Sequence, residues 1–213
     1  TGVQTCALPI SGFVISVAPS GATLSSWESS LTVRGPSLSN TTTKRGTQLT
    51  GATAGDFFCT ANVTLGMGSA GNTQTFLFTT GASIAATCRY KMGLTSAAGW
   101  TSTDTETAAS SYIMLRYLTS SDTTWKLVTS NGASTTITDT GVTPAISTEY
   151  KISITSTSSL VTCSITVGGV TTTVTCSTNL PGSSTLLAIW QAGLYGSTGR
   201  NIVLHGARLR IQY

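Results

Sequence analysis

Apolar and polar residues alternate with period two through most of this chain, in short runs separated by turn chemistry, and no helical periodicity of useful length accompanies them. The clearest case is Leu160 to Cys176, LVTCSITVGGVTTTVTC. Val161, Cys163, Ile165 and Val167 share one face of a strand. Gly168-Gly169 turns the chain, because glycine takes positive φ at both central positions of a tight hairpin without strain. Val170, Thr172, Val174 and Cys176 return on the same face, with Cys163 opposite Val174 and Cys176 opposite Val161. Further strands are expected over Phe13–Val17, Asp56–Leu65, Thr75–Phe78, Thr87–Leu94 and Tyr112–Leu118. Trp125–Thr129 runs into the hairpin signal Asn131-Gly132 and continues in Thr135–Thr138; Glu149–Thr155, Leu186–Gln191 and Ile202–Ile211 complete the set. About ten strands without helices must close on themselves or stack as two sheets to bury their apolar faces. The expectation is all-β.

The 213 residues suit one domain, since sandwiches commonly reach roughly 200–250 residues as a single unit. Charged residues make up 8%, against about 25% in an ordinary chain, and Thr, Ser and Gly fill the polar positions. Hydrophobic residues at 39% argue against disorder. The net charge of +4 is scattered, with Lys44-Arg45 the longest basic run, so the clustered basic face of a nucleic-acid binder is not expected. No apolar run approaches the ~18 residues of a membrane span.

Residues Thr1–Ile10, TGVQTCALPI, resemble the conceptual translation of a sequencing-library adapter, as found in assembled metagenomic sequence. On that reading Cys6 leaves the cysteine count. The run Ala7–Ala18 is then no signal peptide, and it lacks a basic n-region besides. The chain divides into residues 1–10, the adapter-like piece, and 11–213, one β-sandwich domain in which 11–55 form an N-terminal strand or linker segment.

From Arg89 onward an ordered series of motifs appears. It comprises YKMGLT (Tyr90–Thr95), SDTTWK (Ser121–Lys126), TDTGV (Thr138–Val142), EYKISI (Glu149–Ile154), the hairpin Val161–Val170, and GRNIVLHGARL (Gly199–Leu209). The series resembles the concanavalin A-like lectin/glucanase jelly rolls, in particular those of phage tail-fibre and other virion surface proteins. The resemblance implies a two-sheet antiparallel jelly-roll sandwich and an extracellular or virion-surface setting. It also implies a cell-surface glycan partner or a structural role, and a homo-oligomer, trimer or larger. His205 stands where relatives often carry an acidic residue, Gly66–Gly81 looks like an insertion, and residues 11–55 match none of the motifs.

Glycoside hydrolases of that family carry a Glu-x-Asp-x-x-Glu strand, because two carboxylates must flank the scissile bond. Here the nearest approach is Asp104-Thr-Glu106, in the Ser/Thr-rich stretch Thr101–Ser111 and without a third carboxylate at the right spacing. A solvated loop is the plainer reading. His205, the single histidine, has no Gly-x-Ser-x-Gly nucleophile elbow and is read as structural. One His and scattered Cys make no metal-ligand spacing, so no catalytic residue, metal or cofactor is expected. A hydrolase of the same fold and a purely architectural coat or appendage subunit remain the alternatives.

The cysteines Cys59, Cys88, Cys163 and Cys176 are even in number, as in disulfide-bonded exported chains. Yet Cys163 and Cys176 would be diagonal neighbours, about 7–8 Å apart, marginal for a bridge. A bridge and two buried thiols both fit. Asn40-Thr-Thr and Asn62-Val-Thr match the glycosylation sequon. Aromatic residues are the remaining lead, since sugar C–H faces stack on exposed rings. Trp100 and Tyr195 fall in loop-like segments and are the first carbohydrate-binding candidates; Trp125 and Trp190 fall in strands, where a core role competes.

Overall fold

The computed structural model describes residues 71–84, 88–96 and 110–182, together with His205, Leu209 and the backbone of the remaining strands named below. Fifteen strands are described: β1 (Phe13–Val17), β2 (Thr32–Arg34), β3 (Leu38–Asn40), β4 (Thr47–Thr50), β5 (Phe57–Gly66), β6 (Asn72–Thr80), β7 (Arg89–Thr95), β8 (Ser111–Leu118), β9 (Lys126–Asn131), β10 (Thr135–Asp139), β11 (Glu149–Ser156), β12 (Val161–Val167), β13 (Val170–Cys176), β14 (Leu186–Tyr195) and β15 (Asn201–Ile211). One sheet has the order β13-β12-β11-β6-β15-β4-β3, with β1 added on β15; the other has the order β10-β9-β8-β7-β14-β5-β2. Every pair is antiparallel except β1 with β15, which is parallel. The strand pattern read from the sequence is therefore realised as two sheets.

The hairpin takes the expected register, with Cys163 opposite Val174 and Val161 opposite Cys176. Gly168 and Gly169 turn at φ 57° and 81°. The Asn131-Gly132 signal also closes a hairpin, β9 to β10, through a longer loop. There Asn131 Oδ1 accepts hydrogen bonds from the backbone N–H of Ala133 (2.9 Å) and Ser134 (2.8 Å).

The insertion expected over Gly66–Gly81 is not one. It contains β6, which pairs with β11 on one side and β15 on the other, at the centre of its sheet. Its alternation places Phe76 and Phe78 fully inside, and a strand with both neighbours filled cannot be an appendage. Residues 11–55 likewise supply β1 to β4 and serve both sheets.

Between the sheets lies one core. Phe76, Phe78, Tyr150, Ile152, Ile154, Val161, Cys163 and Ile165 come from one side; Tyr90, Met92, Leu94, Ile113, Leu115 and Leu127 come from the other. Trp125 sits at its hub. Its ring lies 5.6–5.8 Å from those of Phe78, Tyr90, Tyr117 and Tyr150, at 55–74° between planes. Such edge-on geometry is what ring quadrupoles favour.

Cys88, Cys163 and Cys176 are buried, and Cys163 and Cys176 form no bridge with each other. Burial pushes the Cys163 thiol up to about 12. Burial also raises Cys176, but hydrogen bonds from Thr129, Thr178 and Thr138 outweigh it and leave that thiol below its ordinary value. A bridge from Cys59 to Cys88 is excluded by topology, because β14 lies between β5 and β7. Two strand spacings, about 9–10 Å, exceed the roughly 6.8 Å Cα separation a disulfide spans.

Candidate functional site

Alternation in β7 sends Tyr90, Met92 and Leu94 into the core and leaves Arg89, Lys91, Gly93 and Thr95 on the outer face of the seven-stranded sheet. In β8 the outer positions are Tyr112, Met114 and Arg116; in β9 they are Lys126, Val128 and Ser130. Tyr112, Met114 and Val128 form a small apolar cluster separate from the main core. Ladder register then aligns a single row across all seven strands, Arg34–Phe58–Gly193–Lys91–Arg116–Lys126–Asp139. A chain with eleven Lys and Arg commits four of them to that row.

Like charges directly opposite one another destabilise a sheet, so the row needs counter-charges. Arg116 meets Asp122, with Nε 3.3 Å from Oδ2 and Nη2 3.5 Å from Oδ1. Asp122 is fixed in turn by the Leu118 N–H, donated to Oδ2 at 3.0 Å. Lys126 Nζ donates to Asp139 Oδ2 at 2.7 Å and to Thr124 Oγ1 at 2.8 Å. Asp139 also accepts from Thr124 and from the Gly141 N–H. The Lys126 ammonium, with those two hydrogen bonds, holds the Asp139 carboxyl well below the usual carboxylate range.

Lys91, Thr95, Met114 and Val128 are buried, but solvent reaches the β10 end of the row. The Lys126 side chain is 14% exposed and that of Asp139 59%. Beside them on the same face stands Ile137, 53% exposed and two residues before Asp139 on β10. The result is an apolar side chain flanked by an ammonium, a carboxylate and the Thr124 hydroxyl. This patch offers van der Waals surface and directed hydrogen bonds, and its carboxylate stays ionised rather than poised to give a proton.

The residues expected to bind sugar fare differently. Trp125 is fully buried and cannot stack on a ligand; the aromatic core claims its ring. Tyr195 is the last residue of β14, not a loop residue, and stands opposite Arg89 in the ladder. Trp190 lies in β14, as expected, opposite Leu94 and Ala61. Trp100, Asp104 and Glu106 lie outside the described residues.

His205 occupies the irregularity of β15 between Leu204 and Gly206. Its Nε2 is 2.7 Å from Thr79 Oγ1 and 3.9 Å from Glu149 Oε2, which fits the structural reading. Among the described residues no cluster of His, Cys, Asp and Glu could hold a metal ion. Sequence reasoning missed the patch around Lys126. Arg89 and Lys91 share a face by spacing, but only the β7–β8–β9 register aligns Lys91, Arg116 and Lys126.

No family profile matches the sequence, and no curated protein matches it. Structural likeness is broad. A legume lectin-like domain from Entamoeba histolytica superposes with TM-score 0.57 at 8% identity, over 85% of this chain and 90% of the other. An alginate lyase from Pseudomonas aeruginosa gives 0.55 at 15%, over 84% and 87%. The Bacillus licheniformis β-glucanase gives 0.51 at 11%, over 90% and 97%. At such identities the likeness speaks for architecture. With two stacked sheets and no helix among the described residues, the chain has the concanavalin A-like jelly-roll sandwich fold.

Proposed function

We propose that this chain is a non-catalytic carbohydrate-binding module that works outside the cell, as a virion-surface or tail-fibre-like domain recognising cell-surface glycan. The observation that carries the reading is the patch of Ile137, Lys126, Asp139 and Thr124. A sugar ring has an apolar C–H face edged by hydroxyls, and the patch pairs an apolar side chain with charged hydrogen-bonding groups already held in place. Charge-assisted hydrogen bonds are the stronger kind, and pre-organisation lowers the cost of using them. The solved proteins of similar shape include a lectin-like domain, a glucanase and an alginate lyase, and this supports a glycan as the ligand class.

The enzyme reading draws on the glucanase and lyase likeness. Against it, the Lys126 ammonium holds the Asp139 carboxyl low, and an acid–base pair needs one carboxyl with a raised pKa. Screening against envelope and capsular polysaccharides tests the proposal. Binding is expected to weaken at least about tenfold, roughly 1.4 kcal/mol, in Ile137→Asp and in Lys126→Ala, with Trp100→Ala and Tyr195→Ala measuring any stacking contribution. Absence of binding to every polysaccharide leaves a structural role. Release of new reducing or unsaturated ends, abolished by Asp104→Asn with Glu106→Gln, would establish the enzyme instead.

A further inference from the structure

Asn131-Gly132 is the single Asn-Gly pair of the chain, and the turn between β9 and β10 brings reactive groups of both residues together. Gly132 holds φ 88°, a conformation that L side chains rarely adopt, so the turn itself demands glycine after Asn131. That choice leaves the Gly132 nitrogen without a Cβ beside it. The nitrogen stands only a few bonds from Cγ, the side-chain carbonyl carbon of Asn131, and a bond between them closes a small ring. Proximity of that kind makes an attack intramolecular and lowers its entropic cost.

Hydrogen bonds on both partners prepare the step. The Gly132 N–H donates to Ser130 Oγ at 3.2 Å, and the Ser130 hydroxyl donates in turn to the Ser110 carbonyl oxygen at 2.9 Å. Linked bonds polarise one another, so this N–H is drawn toward losing its proton. On the other partner, Asn131 Oδ1 accepts from the N–H of Ala133 at 2.9 Å and of Ser134 at 2.8 Å. Two backbone donors on one carbonyl oxygen stabilise the negative charge it takes up when a nucleophile adds to its carbon. The amide nitrogen that must leave is held only loosely, with Nδ2 at 3.5 Å from Asn179 Oδ1. Asn131, Ala133 and Ser134 are exposed to water.

We propose that Asn131 is a self-modification site whose reaction the folded turn promotes, with water as the other reactant. The Gly132 nitrogen loses its proton and bonds to Asn131 Cγ. The Cγ–Nδ2 bond then breaks, and that nitrogen takes up a proton and leaves as ammonia, which gives a cyclic imide. Water reopens the imide at Cγ to give aspartate, or at the Asn131 main-chain carbonyl to give isoaspartate, in which the chain runs through the side chain. Neither product needs an oxidant or a reductant. Each carries a carboxylate in place of the amide, and isoaspartate also lengthens the turn by a main-chain atom. A carboxylate has no N–H to give to Asn179 Oδ1. Asn179 in turn donates to Thr136 Oγ1 of β10 at 2.9 Å, so the altered turn loosens the tie between the β9–β10 hairpin and the segment after β13. The change is slow and runs one way. Asn72 is buried and followed by Thr73, and Asn179 is followed by Leu180, whose branched side chains crowd the attacking nitrogen. The site stands apart from the glycan reading, since Lys126, Ile137 and Asp139 take no part in it.

Peptide mapping by mass spectrometry tests the proposal on the full chain, aged in mildly alkaline buffer beside the same chain unfolded in guanidinium chloride. The peptide containing residue 131 is expected first to lose the mass of ammonia and then to gain that of water, faster in the folded chain than in the unfolded one. Ser130→Ala removes the acceptor of the Gly132 N–H. It is expected to slow the loss of ammonia about tenfold, the effect of one hydrogen bond, with an unchanged far-ultraviolet dichroism spectrum. Asn131→Gln, which would have to close a larger ring, is expected to stay unmodified over the same period. A folded chain in which Asn131 reacts no faster than in the unfolded one overturns the inference. So does a Ser130→Ala chain that keeps both its fold and the natural rate. The comparison of folded with unfolded chain decides the matter even where that variant fails to fold.

Discussion

Asp139 shows how much a single exposed side chain can be governed by its neighbours. The Lys126 ammonium, Thr124 hydroxyl and Gly141 N–H all favour its ionised form. Its folded-state pKa is therefore depressed. The linked stability is fully present above the unfolded value, about 3.9, and is lost as acid carries the pH down through the folded value. Carboxyl NMR titration is expected to find Asp139 still ionised where an ordinary aspartate is half protonated. Lys126→Ala should return its midpoint toward the ordinary value, because it deletes the largest of the three favourable contacts. An unshifted midpoint in the natural chain would show that the pair is open in solution. The same residues illustrate what could be read in advance. Lys126 lies in the strand expected over Trp125–Thr129, but Asp139 falls just past the one expected over Thr135–Thr138, and only the longer β9–β10 loop sets the two residues opposite each other.

At the scale of elements, two glycine positions separate conformational cost from steric cost. Gly168 has φ 57° and open space where a Cβ would go. Alanine there meets only the left-handed penalty, about 1–2 kcal/mol. Gly93 has φ 149°, and a Cβ on it would stand 2.1 Å from the Ile113 carbonyl oxygen of β8. Something in the β7–β8 ladder must move, so Gly93→Ala is expected to cost about 3 kcal/mol or more. Urea denaturation of the two variants checks the order, and equal losses would contradict the close approach of β7 to β8. Gly168 was legible from sequence because its turn is local. The close approach at Gly93 was not, because the atom it avoids belongs to another strand. Strand limits followed the same division: β1 matches its sequence-based bounds, whereas β14 extends to Tyr195 because β7 and β5 hold it on both sides.

For the whole molecule, the connectivity predicts slow folding. The central strand β6 has one neighbour, β11, well over half a hundred residues away and another, β15, at the far end of the chain. Loop closure over such separations comes before any reward from pairing. Stopped-flow refolding from urea, followed by fluorescence of the buried Trp125, is expected on the millisecond-to-second scale of sandwiches and barrels. Complete refolding within microseconds would contradict a core assembled from such distant strands. The same architecture explains the fate of the aromatic candidates. Trp125 precedes β9 at a place where alternation permits either face, and the stacking of the two sheets put its ring among Phe78, Tyr90 and Tyr150.

The sequence by itself determined the strands other than β2, β3 and β4, the Gly168-Gly169 hairpin with its register, and the all-β class. Each depends on φ/ψ preference and on period-two patterning, which act between residues close in the chain. Only the tertiary structure decided strand order, and with it the place of β6 at the centre of its sheet. It also decided the separation of Cys59 from Cys88 and the row from Arg34 to Asp139. Alternation says which residues share a face. It cannot say which distant strand lies alongside or which face the opposite sheet will cover, because that choice is made by burial and backbone pairing summed over both sheets.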